Sequence, residues 1–253
     1  MRFDKDFLHW LDQAHFSFTG WDFSFISETG RVQSELLPWS YGSLVIPLVT
    51  SANSMLDMGT GGGEFLSFLR PYPKKIFATE GYGPNVPIAK KKLEPLGVQV
   101  VEITDDNALP FEDNVFDLIL NQHESYAARE VRRIIKTDGI FMTQQVGGLN
   151  GAQINEALEC PINEAYAEWN LKVALEELKD NHFKILYQKE DFPIERFYDI
   201  GALVYYLKAI PWQVPDFSID DNLDKLYHIH HIIKEKGYFD VKKHRSIIKA
   251  VAV

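Results

Sequence analysis

The chain has 253 residues, 45% of them hydrophobic and 25% charged, a make-up suited to one large α/β domain with additions. Its net charge of −10 argues against a grip on a nucleic-acid backbone, whose phosphates call for basic patches. The single cysteine, Cys160, excludes a disulfide framework and a zinc ribbon and fits a reducing cytoplasm. The opening residues Met1-Arg2-Phe3-Asp4-Lys5-Asp6 hold no apolar signal core, and no run of about 18 apolar residues is present, so no membrane span is expected.

Residues 1–47 are rich in aromatics (Trp10, Phe16, Phe18, Trp21, Phe23, Phe25, Trp39, Tyr41) without a clean period, and read as a short helix and a capping segment. From about 53 to 146, strand and helix signals alternate. Strands are expected at 54–58, 75–80, 98–103, 115–121 and 139–146, with helices at 63–70, 86–96 and 125–136 between them. Apolar strands joined by helices imply an α/β fold, a doubly wound and mostly parallel sheet covered on both faces. Gly147-Gly148-Leu149-Asn150-Gly151 interrupts the alternation. A helix is expected over 162–180, a strand over 182–188, helices over 194–209 and 222–236, and a last strand over 246–253. The mostly helical stretch between the last two strands suggests a lid over a site.

Chemistry concentrates at Leu56-Asp57-Met58-Gly59-Thr60-Gly61-Gly62-Gly63-Glu64. A strand, a glycine turn and a helix in that order make a nucleotide cradle. Its spacing is Asp-x-Gly-x-Gly-x-Gly. A dinucleotide fingerprint, Gly-x-Gly-x-x-Gly, would put Glu64 where the third glycine belongs. Glu80, ending the second strand about 20 residues on, is placed to accept two ribose hydroxyls. Downstream lie Asp105-Asp106-Asn107-Ala108-Leu109-Pro110-Phe111, then Asp113-Asn114-Val115-Phe116-Asp117-Leu118-Ile119, then Glu130-Val131-Arg132-Arg133-Ile134-Ile135-Lys136-Thr137-Asp138-Gly139.

In this order the segments resemble the class I S-adenosylmethionine-dependent methyltransferases, with their Rossmann-like fold, over residues 50–146. Thr137 and Asp138 depart from the family's Leu-Lys-Pro-Gly-Gly turn, a structural position. Gly20-Trp21-Asp22-Phe23-Ser24 and Leu37-Pro38-Trp39-Ser40-Tyr41-Gly42 look like segments of uncharacterised bacterial members. The resemblance implies S-adenosyl-L-methionine as cofactor and S-adenosyl-L-homocysteine as product. It implies a cradle of Asp57, Gly59, Thr60, Gly61 and Gly63, with Asp57 on the cofactor's ammonium and Glu80 on its ribose. Asp105 would meet the adenine amino group and the backbone of Asp106 the ring, with Asn121 delivered to the mouth of the site. The domain division expected is a cap over 1–47 and a methyltransferase domain over 48–253. In that domain the cofactor half is 48–148, and substrate-side insertions fall at about 149–181 and 190–243.

Methyl transfer is an in-line displacement, in which alignment and exclusion of water matter most. If a base is needed, His123 is the candidate, at the carboxyl edge of the sheet and with an ordinary pKa near neutrality. Glu124 could orient or replace it. The bland alternative is that His123 only packs. Trp39, Tyr41, Tyr126, Gln144 and Tyr205 are candidates for the acceptor pocket. Of the neighbours Gln144 and Gln145, only one should face it, because successive strand side chains alternate. His228 and His231 share a helix face but lack further ligands, so no metal is expected. Lys90-Lys91-Lys92 reads as a solvated face. The expected function is methyl transfer to a small or medium-sized metabolite in a lidded pocket, with no nucleic-acid or membrane partner. The alternatives are an RNA-modifying methyltransferase and a non-catalytic cofactor-binding protein. Against the RNA reading, Asn121-Gln122-His123-Glu124 stands where amino-methylating nucleic-acid enzymes often carry Asn/Asp-Pro-Pro-Tyr/Phe.

Overall fold

Seven apolar stretches pair into one sheet in the computed structural model, which describes residues 3–13 and 23–253. They are β1 (Ser54–Met58), β2 (Lys75–Glu80), β3 (Gln99–Glu102), β4 (Phe116–Gln122), β5 (Ile135–Val146), β6 (Phe183–Asp191) and β7 (Arg245–Ala252). Their order across the sheet is β3-β2-β1-β4-β5-β7-β6. The first five run parallel, and β7 is antiparallel to β5. From β1 the chain winds outward to β2 and β3, then returns to lay β4 and β5 on the other side. The strand order therefore reverses between β1 and β4, the switch point where open α/β sheets bind ligands. All five residues of β1 are buried, as a central strand covered on both faces requires. Val45, Met55, Leu66, Leu93, Leu118, Leu120 and Met142 share one core with Ile247 of β7.

The expected doubly wound, mostly parallel sheet is thus present, and its strands lie close to the expected ranges. The largest strand difference is β5, which begins at Ile135 rather than Gly139, so the helix expected over 125–136 is confined to Ala128–Ile134. This compact unit takes in 38–146, 170–190 and 245–253.

The second unit comprises 147–169 and 191–244 with the described residues up to Leu37. It holds an antiparallel three-stranded sheet of Val32–Ser34, Ile194–Phe197 and Phe239–Lys242. Its core includes Phe7, Ile26, Phe197, Leu203, Leu226 and Ile229. Two helix expectations are corrected here. The stretch 194–209 splits into the strand Ile194–Phe197 and the helix Ile200–Ala209. The break falls at Asp199, whose carboxylate accepts the Ala202 N–H at 2.7 Å and a bidentate pair from Arg31 at 2.8 and 2.6 Å. The helix expected over 162–180 starts only at Leu171. Asn163 accepts the Ala165 N–H and Asn170 the Val173 N–H, local bonds that compete with helix until Asn170 caps one. Phe16, Phe18 and Trp21 lie outside the described residues. Among the described residues no helix is long and apolar enough to cross a membrane.

Candidate functional site

The carboxyl ends of β1, β2 and β4 bring most of the expected residues to one edge of the sheet. Register places Asp57 beside Ala78 and Leu120, and Met58 beside Asn121. The turn after β1 is possible because Gly59, Gly61 and Gly63 have φ of 66°, 62° and 82°, a region costly for residues with a Cβ. The Thr60 N–H donates to Thr79 O at 2.9 Å, pinning the turn to β2, and the Gly63 N–H donates to Thr60 O at 3.0 Å. A Cβ on Gly63 would lie 2.7 Å from Leu93 Cγ, and one on Gly59 would collide with the side chain of Glu124. The turn is therefore wedged between the helix Val86–Leu93 and the chain leaving β4.

Three buried or half-buried carboxyls surround this turn. Asp57 is 6% exposed and Glu80 3%. Burial pushes Asp57 up to about 7, reinforced by the charge of Glu80. Burial also raises Glu80, against hydrogen bonds from the backbone of Tyr82, Gly61 and Gly81; the Tyr82 N–H reaches Glu80 Oε1 at 2.7 Å. Burial, then the charges of Asp106 and Glu80, push Glu124 up to about 7. Among the described residues no lysine, arginine or histidine forms an ion pair with any of the three. Burying carboxylates without a counter-charge is costly, so burial favours their protonated form here, and a cationic ligand could favour the ionised one.

Beside them, Asn85 caps the helix Val86–Leu93 with its side-chain amide buried and neither polar atom bonded, and the Thr79 hydroxyl is in the same state. Thr79 neighbours Glu80 on β2 and so points to the opposite face of the sheet, which leaves Asn85 as the candidate ligand partner of the two. S-adenosylmethionine, with an ammonium, a sulfonium, ribose hydroxyls and an adenine, fits this set.

The segment after β3 is tied to the same edge. Asp105 is exposed and accepts the Asn107 N–H at 2.8 Å and Asn107 Nδ2 at 2.9 Å, bonds that hold its carboxyl below the usual range. Asp106 Oδ2 instead accepts from the Ser125 hydroxyl. The Leu109 N–H donates to Glu130 Oε1 at 2.7 Å. The fully buried Asn121 side chain accepts from Thr143 Oγ1 at 2.8 Å and Gln145 Nε2 at 2.6 Å, tying β4 to β5. Ser125, Thr143 and Gln145 carry this network although no motif pointed to them. The one cue was three successive polar residues, Thr143-Gln144-Gln145, in an otherwise apolar strand end.

Beyond β4 the chain turns sharply at His123, whose φ is 62°. Its N–H donates to Gln144 O at 2.8 Å, and its Nε2 lies 3.0 Å from Gln144 Nε2. Gln144 Oε1 in turn accepts from Trp39 Nε1 at 2.7 Å. The Tyr41 hydroxyl, buried against Phe65, donates to Asn121 O at 3.3 Å. Trp39, Tyr41, Gln144, His123 and Glu124 thus meet at one edge.

The other two acceptor candidates pack as follows. Tyr126 turns its ring edge-on to the fully buried Phe141 at 5.1 Å, with burial and the charge of Glu177 raising its pKa. Tyr205, 3% exposed, packs on Phe25 in the core of the second unit. Tyr205 is corrected to a core side chain, because a large ring among buried neighbours gains more from packing than from a wet pocket wall, whereas Tyr126 is half-buried.

A glycine turn at the switch point of a sheet in this order defines the class: the protein has the class I S-adenosylmethionine-dependent methyltransferase fold. Residues 56–143 match the family described as "Methyltransferase domain". Over 97 residues the chain is 30% identical to the uncharacterized methyltransferase YcgJ of Bacillus subtilis (strain 168), a match covering 35% of this chain and 38% of that protein. Over 101 residues it is 28% identical to the mitochondrial arginine-hydroxylase NDUFAF5 of Danio rerio, covering 37% and 30%. The chain thus spans less than two-fifths of the length of either curated relative. The solved structure of YcgJ aligns with a TM-score of 0.57 at 16% identity, over 84% of this chain and 97% of that one. Geranyl diphosphate C-methyltransferase from Streptomyces coelicolor A3(2), solved with Mg2+, geranyl diphosphate and S-adenosyl-L-homocysteine, aligns at 0.51 and 14% identity, over 84% and 77%.

Proposed function

We propose that this chain transfers a methyl group from S-adenosylmethionine to a small or medium-sized metabolite. The observation that carries this reading is the trio of carboxyls that form no ion pair among the described residues, Asp57, Glu80 and Glu124, around a positive-φ glycine turn at the switch point. Asp57 would hold the ammonium, Glu80 the ribose hydroxyls, and the segment Asp105–Asp106 the adenine. Gly59, Thr60, Gly61 and Gly63 would bring backbone N–H groups against the ligand, and Asn121 would brace the exit of β4 behind it. Bound there, the cofactor supplies a methyl group already activated on a positively charged sulfur. The chain's own work is then to align an acceptor and keep water out, with Trp39, Tyr41 and Gln144 as the wall nearest His123 and Glu124. The net charge of −10 favours a metabolite over RNA.

Titration calorimetry with S-adenosylmethionine tests the first layer, with saturable heat expected. No heat at millimolar ligand would sink the reading. The second layer is S-adenosylhomocysteine formation when a metabolite extract is added. Binding without that product would move the chain towards a non-methylating use of the cofactor; one curated relative is named for hydroxylation.

A further inference from the structure

We propose that Trp39, acting through Gln144, holds His123 as the neutral imidazole with its proton on Nδ1 and its Nε2 lone pair engaged by Gln144, so that Nε2 does not serve as a general base. The inference deepens the proposed methyl transfer and rests on it for its functional meaning.

The argument is one of donors and acceptors. The indole Nε1–H of Trp39 can only donate, and it lies 2.7 Å from the side-chain oxygen of Gln144. An amide's oxygen and nitrogen are assigned by such networks, and here the indole donor decides the orientation of the Gln144 amide. Turning the amide over would set its NH2 against the indole N–H. With the oxygen fixed on Trp39, the NH2 points at His123 Nε2, 3.0 Å away. A ring nitrogen that receives an N–H carries a lone pair. A neutral imidazole has one such nitrogen, so the proton sits on Nδ1. Protonating Nε2 would place two N–H groups head to head and break the chain.

The backbone supports the same geometry. The His123 N–H donates to Gln144 O at 2.8 Å, so both the main chain and the side chain of Gln144 hold this residue. Register sets Gln122 beside Gln144 in the parallel β4–β5 pair, which brings the Gln144 side chain to the turn where His123 leaves the sheet. Gln144 and Trp39 are positioning residues: they act on the site through His123.

The test is 15N NMR of the full chain labelled at histidine, with His123 assigned by comparison with His123→Gln. The expected pattern at neutral pH is a protonated Nδ1 and an unprotonated Nε2. Gln144→Glu replaces the donor with a carboxylate that accepts from both neighbours, so the proton should move to Nε2 and the two nitrogen signals should exchange character. Trp39→Phe frees the amide to rotate and should give a mixture of tautomers. An Nε2–H tautomer or an imidazolium in the parent protein would overturn the proposal. So would a pattern unchanged in Gln144→Glu or, should that variant not fold, in Trp39→Phe. These readouts need no cofactor, so a protein that shows the Nδ1–H form yet binds no S-adenosylmethionine refutes the proposed function alone.

Discussion

Asp57 and Glu124 are the residues whose charge a cationic ligand must change. Burial pushes both up to about 7, so near neutrality each is partly protonated, and a bound cation stabilises the ionised form. Cofactor affinity should therefore rise with pH across roughly 6 to 8, with protons released on binding. Titrations in buffers of different ionisation heat would show this, and a pH-independent affinity would count against it. Stability of the ligand-free protein should move the other way. A carboxyl raised from 3.8 to about 7 keeps its full contribution below its unfolded value and loses it as pH rises through 7. The Asp57 shift amounts to roughly 4 kcal/mol. Melting temperature should fall between about pH 4 and 7 and level off above it, and Asp57→Asn should flatten that fall while weakening cofactor binding. An equal fall in the variant would show that Asp57 is not the group responsible. At this scale the sequence made Asp57, Glu80 and the glycines legible, because a fixed spacing within one turn carries them. The partnership of Trp39, Gln144 and His123 was hidden. Gln144 lies 105 residues from Trp39 and 21 from His123, and only strand register brings them together.

Elements decide how firmly the cradle is held. Gly63 precedes the helix Glu64–Phe68 with φ of 82°, and a Cβ there would lie 2.7 Å from Leu93 Cγ on the helix Val86–Leu93. Gly97 has a similar φ, 87°, with nothing within 4 Å. Gly97→Ala should then cost only the backbone term of about 1–2 kcal/mol, and Gly63→Ala clearly more, as overpacking adds about 1–3 kcal/mol. Pairing Gly63→Ala with Leu93→Ala in a double-mutant cycle should return part of that excess. Equal costs at the two glycines in urea melts would mean that the turn is not wedged against Leu93. The central strands β1 and β4 were readable because each is a short, mostly apolar run. The helical stretches misled where polar side chains break an apolar period. Asn163 and Asn170 hold 163–170 out of the helix, and Asp199 separates the strand at Ile194–Phe197 from the helix that follows.

For the whole molecule, the span that matches the family model and the span that folds the sheet differ. The family match ends at residue 143, yet β5 needs a partner on its outer edge, and β7 supplies it from the far end of the chain. Seven residue pairs run from Arg245 beside Val146 to Val251 beside Ile140. Ile247, Ile248, Ala250 and Ala252 on β7 are all buried, and Val253 O accepts from Arg132 at 2.9 Å. Burying two isoleucines alone is worth roughly 3–6 kcal/mol, comparable with the net stability of many domains. Without residues 245–253, β5 would present an unpaired apolar edge and β6 would lose its neighbour in the sheet, a recipe for edge-to-edge association. The deletion variant should be insoluble or melt without cooperativity, although it retains every residue of the glycine turn and of the family match. A soluble deletion variant with the parent's melting temperature and cofactor affinity would show that the five parallel strands fold alone.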